Sequence, residues 1–214
     1  MKGLFITGTD TDAGKTYVSA LILEALRAEG LNAVGYKPIC CGGREDAYAL
    51  KKASGDKVDL ERVNPCWMRT PAAPYVAGMF ENRELEIPSL AQGCRDLATD
   101  HDVVIAEGVG GWMVPISKEY MVADYARDLG LPVVLVVGNR LGALNHTLLT
   151  VQSMRAAGIE PAGMVFNNLV DELDTAAITN KGIAEDLTGV EVLTDVIHGQ
   201  ESIEAWPFLD LIGQ

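Results

Sequence analysis

The chain is poor in histidine and cysteine, the ligands of zinc-type sites, and in the cations that read nucleic acid. Its three histidines, His101, His146 and His198, are too scattered to suggest a metal cluster. Its four cysteines, Cys40, Cys41, Cys66 and Cys94, contain no C-x-x-C pair, and adjacent Cys40-Cys41 is poor geometry for a zinc knuckle. Reduced thiols in a cytoplasmic protein are the expectation. Cations are scarce: 17 Lys and Arg against 30 Asp and Glu leave a formal net charge of −13. Such a field repels nucleic acid and anionic membrane surfaces, so neither is expected as a partner. No apolar run reaches the roughly 18 residues of a membrane span. Met1-Lys2-Gly3 opens no signal-peptide pattern, so none is expected. Repeats, low-complexity tracts and linkers are lacking as well. The 214 residues, 48% of them hydrophobic, are therefore expected to form a single domain, 1–214, around one core.

What is present is organised around Gly8-Thr9-Asp10-Thr11-Asp12-Ala13-Gly14-Lys15-Thr16. An apolar run, Gly3 to Thr7, precedes it and reads as a buried first strand. Tyr17 to Glu29 follows, with Val18, Leu21, Ile22, Ala25 and Leu26 on one helical face. Strand, glycine turn and helix is the context of a phosphate-binding loop. Such a turn points backbone N–H groups inward, and the helix start adds the positive end of its dipole. A triphosphate suits that concavity. Lys15 would reach the outer phosphates and the Thr16 hydroxyl would ligate Mg²⁺. The pattern G-x-x-x-x-G-K-[ST] asks for glycine at Thr9, and the glycine here stands one place earlier, at Gly8.

Apolar strand-like runs alternate with helical patterns along the rest of the chain. Leu31 to Tyr36 reads as strand two, Glu45 to Ala53 as a short helix, and Asn64 to Tyr75, with three prolines, as loop or broken helix. Ser89 to about Ala98 reads as a helix capped by Ser89, Val103 to Ala106 as a strand ending at Glu107, and Glu119 to Leu129 as a helix. Pro132 to Val137 is the clearest buried strand. Helix is expected over Leu144–Ala157 and Glu201–Ile212, and strand over Ala162–Phe166 and Glu191–Val196. This alternation predicts an α/β fold with a doubly wound, mostly parallel sheet covered on both faces, like that of P-loop NTPases. Ligands in such sheets bind beyond the carboxyl ends of the strands.

The residues with chemistry fall at those ends. Glu107 stands where a second carboxylate could hold Mg²⁺, directly or through water, although a strand-end surface acid is the alternative. Gly108, Val109 and Gly110 follow, where backbone can approach a ligand closely. Lys37 could neutralise charge on a transferred phosphoryl group, but a lone lysine is more often solvated. Asp46 fits equally an ordinary helix N-terminus. Asn167 and Asn168 could read an adenine edge or form a turn.

Taken together, GTDTDAGKT (8–16), GYKP (35–38), EDAYAL (45–50), EGVGGWMVP (107–115), LGALNH (141–146) and FNN (166–168) resemble the dethiobiotin synthetase family, in order and spacing over nearly the whole chain. The resemblance implies a homodimeric P-loop enzyme of biotin synthesis, with shared active sites. Its substrates would be ATP, CO₂ or bicarbonate, and 7,8-diaminononanoate. It implies that Lys15, Lys37 and Thr11 are catalytic, and that Thr16, Asp46 and Glu107 ligate Mg²⁺. Asp12, Ala13, Gly14, Lys15, Thr16, Tyr17, Gly108, Val109, Gly110, Asn167 and Asn168 would contact nucleotide. Thr11, Lys37 and Cys41 would contact the diamine, whose distal carboxylate would sit on Gly142, Ala143, Leu144 and Asn145 of the neighbouring subunit. Three departures stand out. Cys41 replaces a serine frequent in the family, the Lys37–Asp46 loop is shorter than in some members, and the adenine-side loop aligns only loosely near Ile197-His198-Gly199.

The rival reading is a regulatory P-loop ATPase of the partitioning or cell-division type. Such proteins usually carry a second lysine early in the loop, where this chain has Asp10, and often a basic patch or amphipathic tail that the charge argues against. A glutamine-dependent synthetase would need a glutaminase domain for which 214 residues leave no room.

Overall fold

In the computed structural model, which describes residues 1–172 and 174–213, the first strand β1 (Gly3–Gly8) is buried along its whole length. Its continuous apolar run demands cover on both faces, and a parallel sheet supplies it. The chain continues through α1 (Lys15–Ala28), β2 (Ala33–Tyr36), β3 (Ile39–Cys41), α2 (Glu45–Ala53), α3 (Leu60–Val63), β4 (Cys66–Met68), α4 (Pro74–Glu81) and α5 (Ile87–Asp100). It then forms β5 (Val103–Glu107), β6 (Pro115–Ser117), β7 (Tyr120–Met121), α6 (Val122–Leu129), β8 (Val133–Asn139), α7 (Ala143–Ala156), β9 (Gly163–Asn168), α8 (Thr175–Thr188), β10 (Val192–Val196) and α9 (Trp206–Leu211).

The central sheet has six strands in the order β10-β9-β8-β1-β5-β2, all parallel. Chain order therefore reverses around β1, which puts a ligand crevice at its carboxyl end. Crossovers between parallel strands are right-handed as a rule, which divides the helices between the two faces. α1 packs with α2 and α9, while α5 meets α6 and α7 meets α8. Phe5 of β1 meets Tyr125 of α6 edge to face, ring centroids 6.2 Å apart. Among the described residues no helix is long and apolar enough to cross a membrane.

The expected α/β sheet is present, with several local differences. The stretch expected as loop holds β4, whose pairing with β3 needs a partner far in sequence, and the start of α4. α5 starts two residues ahead of Ser89, with Pro88 in its first turn, where a missing N–H costs nothing. Tyr120-Met121 forms a short hairpin strand before α6. The expected final helix is confined to Trp206–Leu211.

Candidate active site

The turn after β1 closes on itself. Thr9 N–H donates to the Val136 carbonyl at 3.0 Å, anchoring the loop to the neighbouring strand. Gly14 adopts φ 87°, in the left-handed region open to glycine, and caps α1. A Cβ there would stand 2.0 Å from the Asn167 amide nitrogen, which donates to the Ala13 carbonyl at 3.0 Å. Lys15 is the first residue of α1, and its ammonium donates back to the Asp10 carbonyl at 3.1 Å. It is only 6% exposed. Burial, then the nearby Lys37 charge, hold its amine below the ordinary lysine value.

Sheet register does the rest. Ile6 pairs with Glu107, so the last residue of β5 comes up beside the turn. Glu107 is fully buried. Its Oε1 accepts from the Thr16 hydroxyl at 2.8 Å and from the Lys37 ammonium at 2.5 Å. Lys37 also donates to Asp46 Oδ2 at 2.8 Å and to the Gly108 carbonyl at 3.3 Å. Burial alone would lower the Lys37 pKa, but the Glu107 and Asp46 carboxylates outweigh it and hold the amine above its ordinary value. Asp46 mirrors this: burial would raise its carboxyl, yet Lys37 keeps it below the usual range. Glu107 Oε2 is buried with no hydrogen-bond partner among the described residues. A carboxylate oxygen left so is costly unless a further positive group meets it.

Lys15, Thr16, Lys37 and Asp46 face one cavity of about 510 Å³, while Glu107 lies buried behind them and, like Gly108, does not wall it. Of the residues nominated from sequence, Thr11, Asp12, Gly14, Lys15, Thr16, Lys37, Cys41, Asp46, Val109 and Gly110 wall it. Ala13 and Asn167 lie buried beneath the turn. Tyr17 points elsewhere: its hydroxyl donates to the Gln200 carbonyl and borders a second hollow of about 380 Å³ with Gly199. Asn168 spends its amide on Asp195, Val196 and Asn139 across the strand ends. Gly142, Ala143, Leu144 and Asn145 do not wall the cavity within a single chain. Sequence reasoning passed over Cys40, Gly43 and Glu45, which do. It also passed over Asn64 and Arg44, whose hydrogen bonds to this region carry no local sequence signal.

A strand, a glycine turn opening into a Lys-Thr helix start, and a buried carboxylate on the adjacent strand define a P-loop nucleotide-binding protein. The family model described as an AAA domain matches residues 2–201. The chain is 44% identical over 204 residues to an ATP-dependent dethiobiotin synthetase of Akkermansia muciniphila, covering 95% of this chain and 96% of that one. To the enzyme of the same name from Anaeromyxobacter dehalogenans it is 41% identical over 197 residues, covering 90% and 88%. The chain belongs to the dethiobiotin synthetase family. Among solved structures, a ParA family ATPase from Chlorobium tepidum superposes with a TM-score of 0.59 at 12% identity, covering 93% of this chain and 85% of that one. The septum site-determining protein MinD from Pyrococcus horikoshii gives 0.58 at 15% identity, covering 99% and 94%. At such identities the likeness is one of fold alone.

Proposed function

We propose that this protein is an ATP-dependent dethiobiotin synthase, closing a ureido ring on 7,8-diaminononanoate with CO₂. The observation that carries the reading is the buried Lys37, held between Glu107 and Asp46 and facing Lys15 and Thr16 across one cavity. One substrate amine takes up CO₂ as a carbamate. A carbamate oxygen attacks the γ-phosphate, giving a carbamic-phosphoric anhydride, and the second amine closes the ring by expelling phosphate. This sequence needs positioning and charge stabilisation rather than a protein nucleophile. The cavity fits that demand. Burial pushes the Cys40 thiol up to about 11 and the Cys41 thiol up to about 12, so neither is a thiolate at neutral pH. Lys15 and the turn's N–H groups orient the phosphates, Lys37 lies ready to offset charge on the carbamate, and Thr11 sits at the rim.

The residues also fit Mg²⁺. Among the described residues no group of three or more His, Cys, Asp or Glu is placed to hold a metal ion. A nucleotide-bound Mg²⁺ needs fewer, since it keeps waters and phosphate oxygens as ligands. The Thr16 hydroxyl, Asp46 and the unpartnered Glu107 Oε2 would hold it. Bound there, it would neutralise charge on the β- and γ-phosphates.

A homodimer is part of the proposal, supported by apolar side chains left exposed on and beside α7 and α8: Leu141, Leu149, Ile178 and Leu187. The switch-ATPase reading draws only on shared fold, whereas the relatives at 41–44% identity carry the synthetase name. The deciding experiment is phosphate release from ATP with Mg²⁺ and bicarbonate, with and without the diamine. Diamine-dependent release, with one cyclic urea per phosphate, is expected. Release indifferent to the diamine would turn the assignment towards a nucleotide switch.

A further inference from the structure

Lys37 and Asp46 form one ion pair, and the chain between them carries two adjacent glycines. It runs from the end of β2 through β3 and the turn Gly42-Gly43 to the first turn of α2. Gly42 sits at φ 81°, and paired glycines do not by themselves hold a separation. Contacts from outside the segment hold it: β4 pairs with β3, and the Gly42 N–H donates to the Met68 carbonyl at 2.9 Å.

Asn64, 1% exposed, reaches both ends. Its Nδ2 donates to the carbonyl of Lys37 at 2.7 Å and to that of Cys66 at 3.1 Å. Its Oδ1 accepts from Arg44 Nε at 3.0 Å, and its backbone carbonyl accepts from Arg44 Nη2 at 3.0 Å. Arg44 is the N-cap residue of α2, two places before Asp46, and its guanidinium lies over the Trp67 ring at 5.5 Å. The Lys37 N–H donates to the Val63 carbonyl at 2.8 Å, beside Asn64. Asn64 itself is anchored by its N–H to the Leu60 carbonyl of α3 at 2.7 Å. Both amide hydrogens are used, and the amide has only one workable orientation. Flipped, it would set its NH₂ against a guanidinium and its oxygen against two carbonyls.

We propose that Asn64 is a positioning residue of the active site, a buried clamp that sets the Lys37 ammonium against Asp46 by holding the Lys37 backbone with one end of its amide and Arg44 with the other. This rests on the reading that Lys37 and Asp46 serve phosphoryl transfer. A buried amide is an expensive way to fill space, since each unpaired group costs roughly 1–3 kcal/mol. Here every contact it makes leads to one or other end of the ion pair, or to the β3–β4 ribbon between them.

Asn64→Asp tests one arm. It keeps the shape and the Arg44 contact but deletes both donors to the Lys37 and Cys66 carbonyls. The kcat of diamine-dependent phosphate release should fall about 100-fold, as for a misplacement near one ångström, while KM for ATP holds. In a Lys37→Gln background the same change should add less than about twofold, because coupled residues are not additive. Arg44→Gln tests the other arm and carries the proposal if Asn64→Asp does not fold. In protein labelled with ¹⁵N at lysine Nζ, the Lys37 ammonium signal, identified by its loss in Lys37→Gln, should shift in either variant while that of Lys15 stays. A merely structural Asn64 would lower the melting temperature, leave kcat per folded molecule and the Lys37 signal unchanged, and add fully to Lys37→Gln. An unchanged kcat, an unchanged Lys37 signal or full additivity with Lys37→Gln overturns the proposal; a lowered melting temperature accompanies either reading. If wild-type release ignores the diamine, the synthase reading fails, and the Lys37 signal still decides the clamp.

Discussion

Two helices begin at the same edge of the sheet, on adjacent strands, in the same local way. α1 starts after Gly14 at φ 87° and α7 after Gly142 at φ 91°, and neither has a side-chain cap. Both therefore present free N–H groups and a positive dipole end. Their surroundings differ. The Asn167 amide would meet a Cβ on Gly14 at 2.0 Å, the Ala13 carbonyl is held from below, and Lys15 is nearly buried. Around Gly142 a Cβ would meet nothing within 4 Å, and Leu141 beside it is 80% exposed. An ion pair between the two turns, Arg140 to Asp10 at 3.7 Å, is exposed and worth little. An anion-ready helix start is thus a routine product of a parallel sheet. Closure by residues distant in sequence is what separates a phosphate loop from an open helix end. The open end suits the proposed role of meeting a substrate carboxylate in a second copy's site.

The two buried lysines give the largest expected effects. Lys15→Gln and Lys37→Gln should each cost roughly 3 kcal/mol or more of transition-state stabilisation, as for a lost oxyanion donor. Stability should separate them. Lys15 carries a charge that burial and Lys37 disfavour, so its removal should leave the melting temperature unchanged or raise it. Lys37 answers buried Glu107, and breaking a buried pair from one side costs about 3–5 kcal/mol. Matched thermal melts and steady-state rates decide this. Equal destabilisation by the two variants would mean that closure around α1 relies on the Lys15 charge, contrary to the contrast drawn here. Next in size is the glycine pair. Alanine at either position incurs about 1–2 kcal/mol of left-handed strain. Gly14→Ala must also displace Asn167, so ATP affinity should drop well beyond that strain. Gly142→Ala should leave ATP affinity alone and act on KM for the diamine. Calorimetric titration with ATP separates the cases, and equal losses of ATP affinity would erase the distinction between the turns.

The closed turn was legible from sequence because its parts are local: an apolar strand, glycines at fixed offsets, and Lys-Thr opening an amphipathic run. Glu107 and Lys37 were legible as strand-end residues, but only register reveals that they meet. α8 was not foreseen, and its packing explains why. Ile178, Ile183 and Leu187 point outward, 67%, 44% and 59% exposed, while Ala177, Asn180, Ala184 and Thr188 are buried. Its apolar face looks away from the core, so periodicity read for burial finds nothing. Asn180 earns its buried place by donating to Asn139 Oδ1 and the Arg140 carbonyl, each at 3.0 Å. Asn64 escaped for a related reason. A Val-Asn-Pro stretch reads as loop, and only tertiary contacts make that amide a clamp between Lys37 and Arg44.

Cys41 gives the smallest expected effect and sharpens what closure around α1 consists of. It walls the same cavity as Lys15 and Thr16 and is half-buried, but among the described residues its thiol makes no direct contact with a carboxylate of the kind Lys37 makes. Burial, with Cys66 and Cys40 beside it, pushes the thiol up to about 12, so it stays protonated through the neutral range. Only the thiolate is a nucleophile. Iodoacetamide should therefore modify Cys41 slowly at pH 8, the rate climbing towards pH 12 rather than levelling near the ordinary cysteine value. Cys41→Ser should leave kcat within about twofold and hold or mildly lower KM for the diamine, since a hydroxyl is the better hydrogen-bond donor. Rapid alkylation at neutral pH, or a large loss of turnover in the serine variant, would make this thiol a working part of the wall facing α1. Closure would then extend from the glycine turn to the β3 side of the cavity.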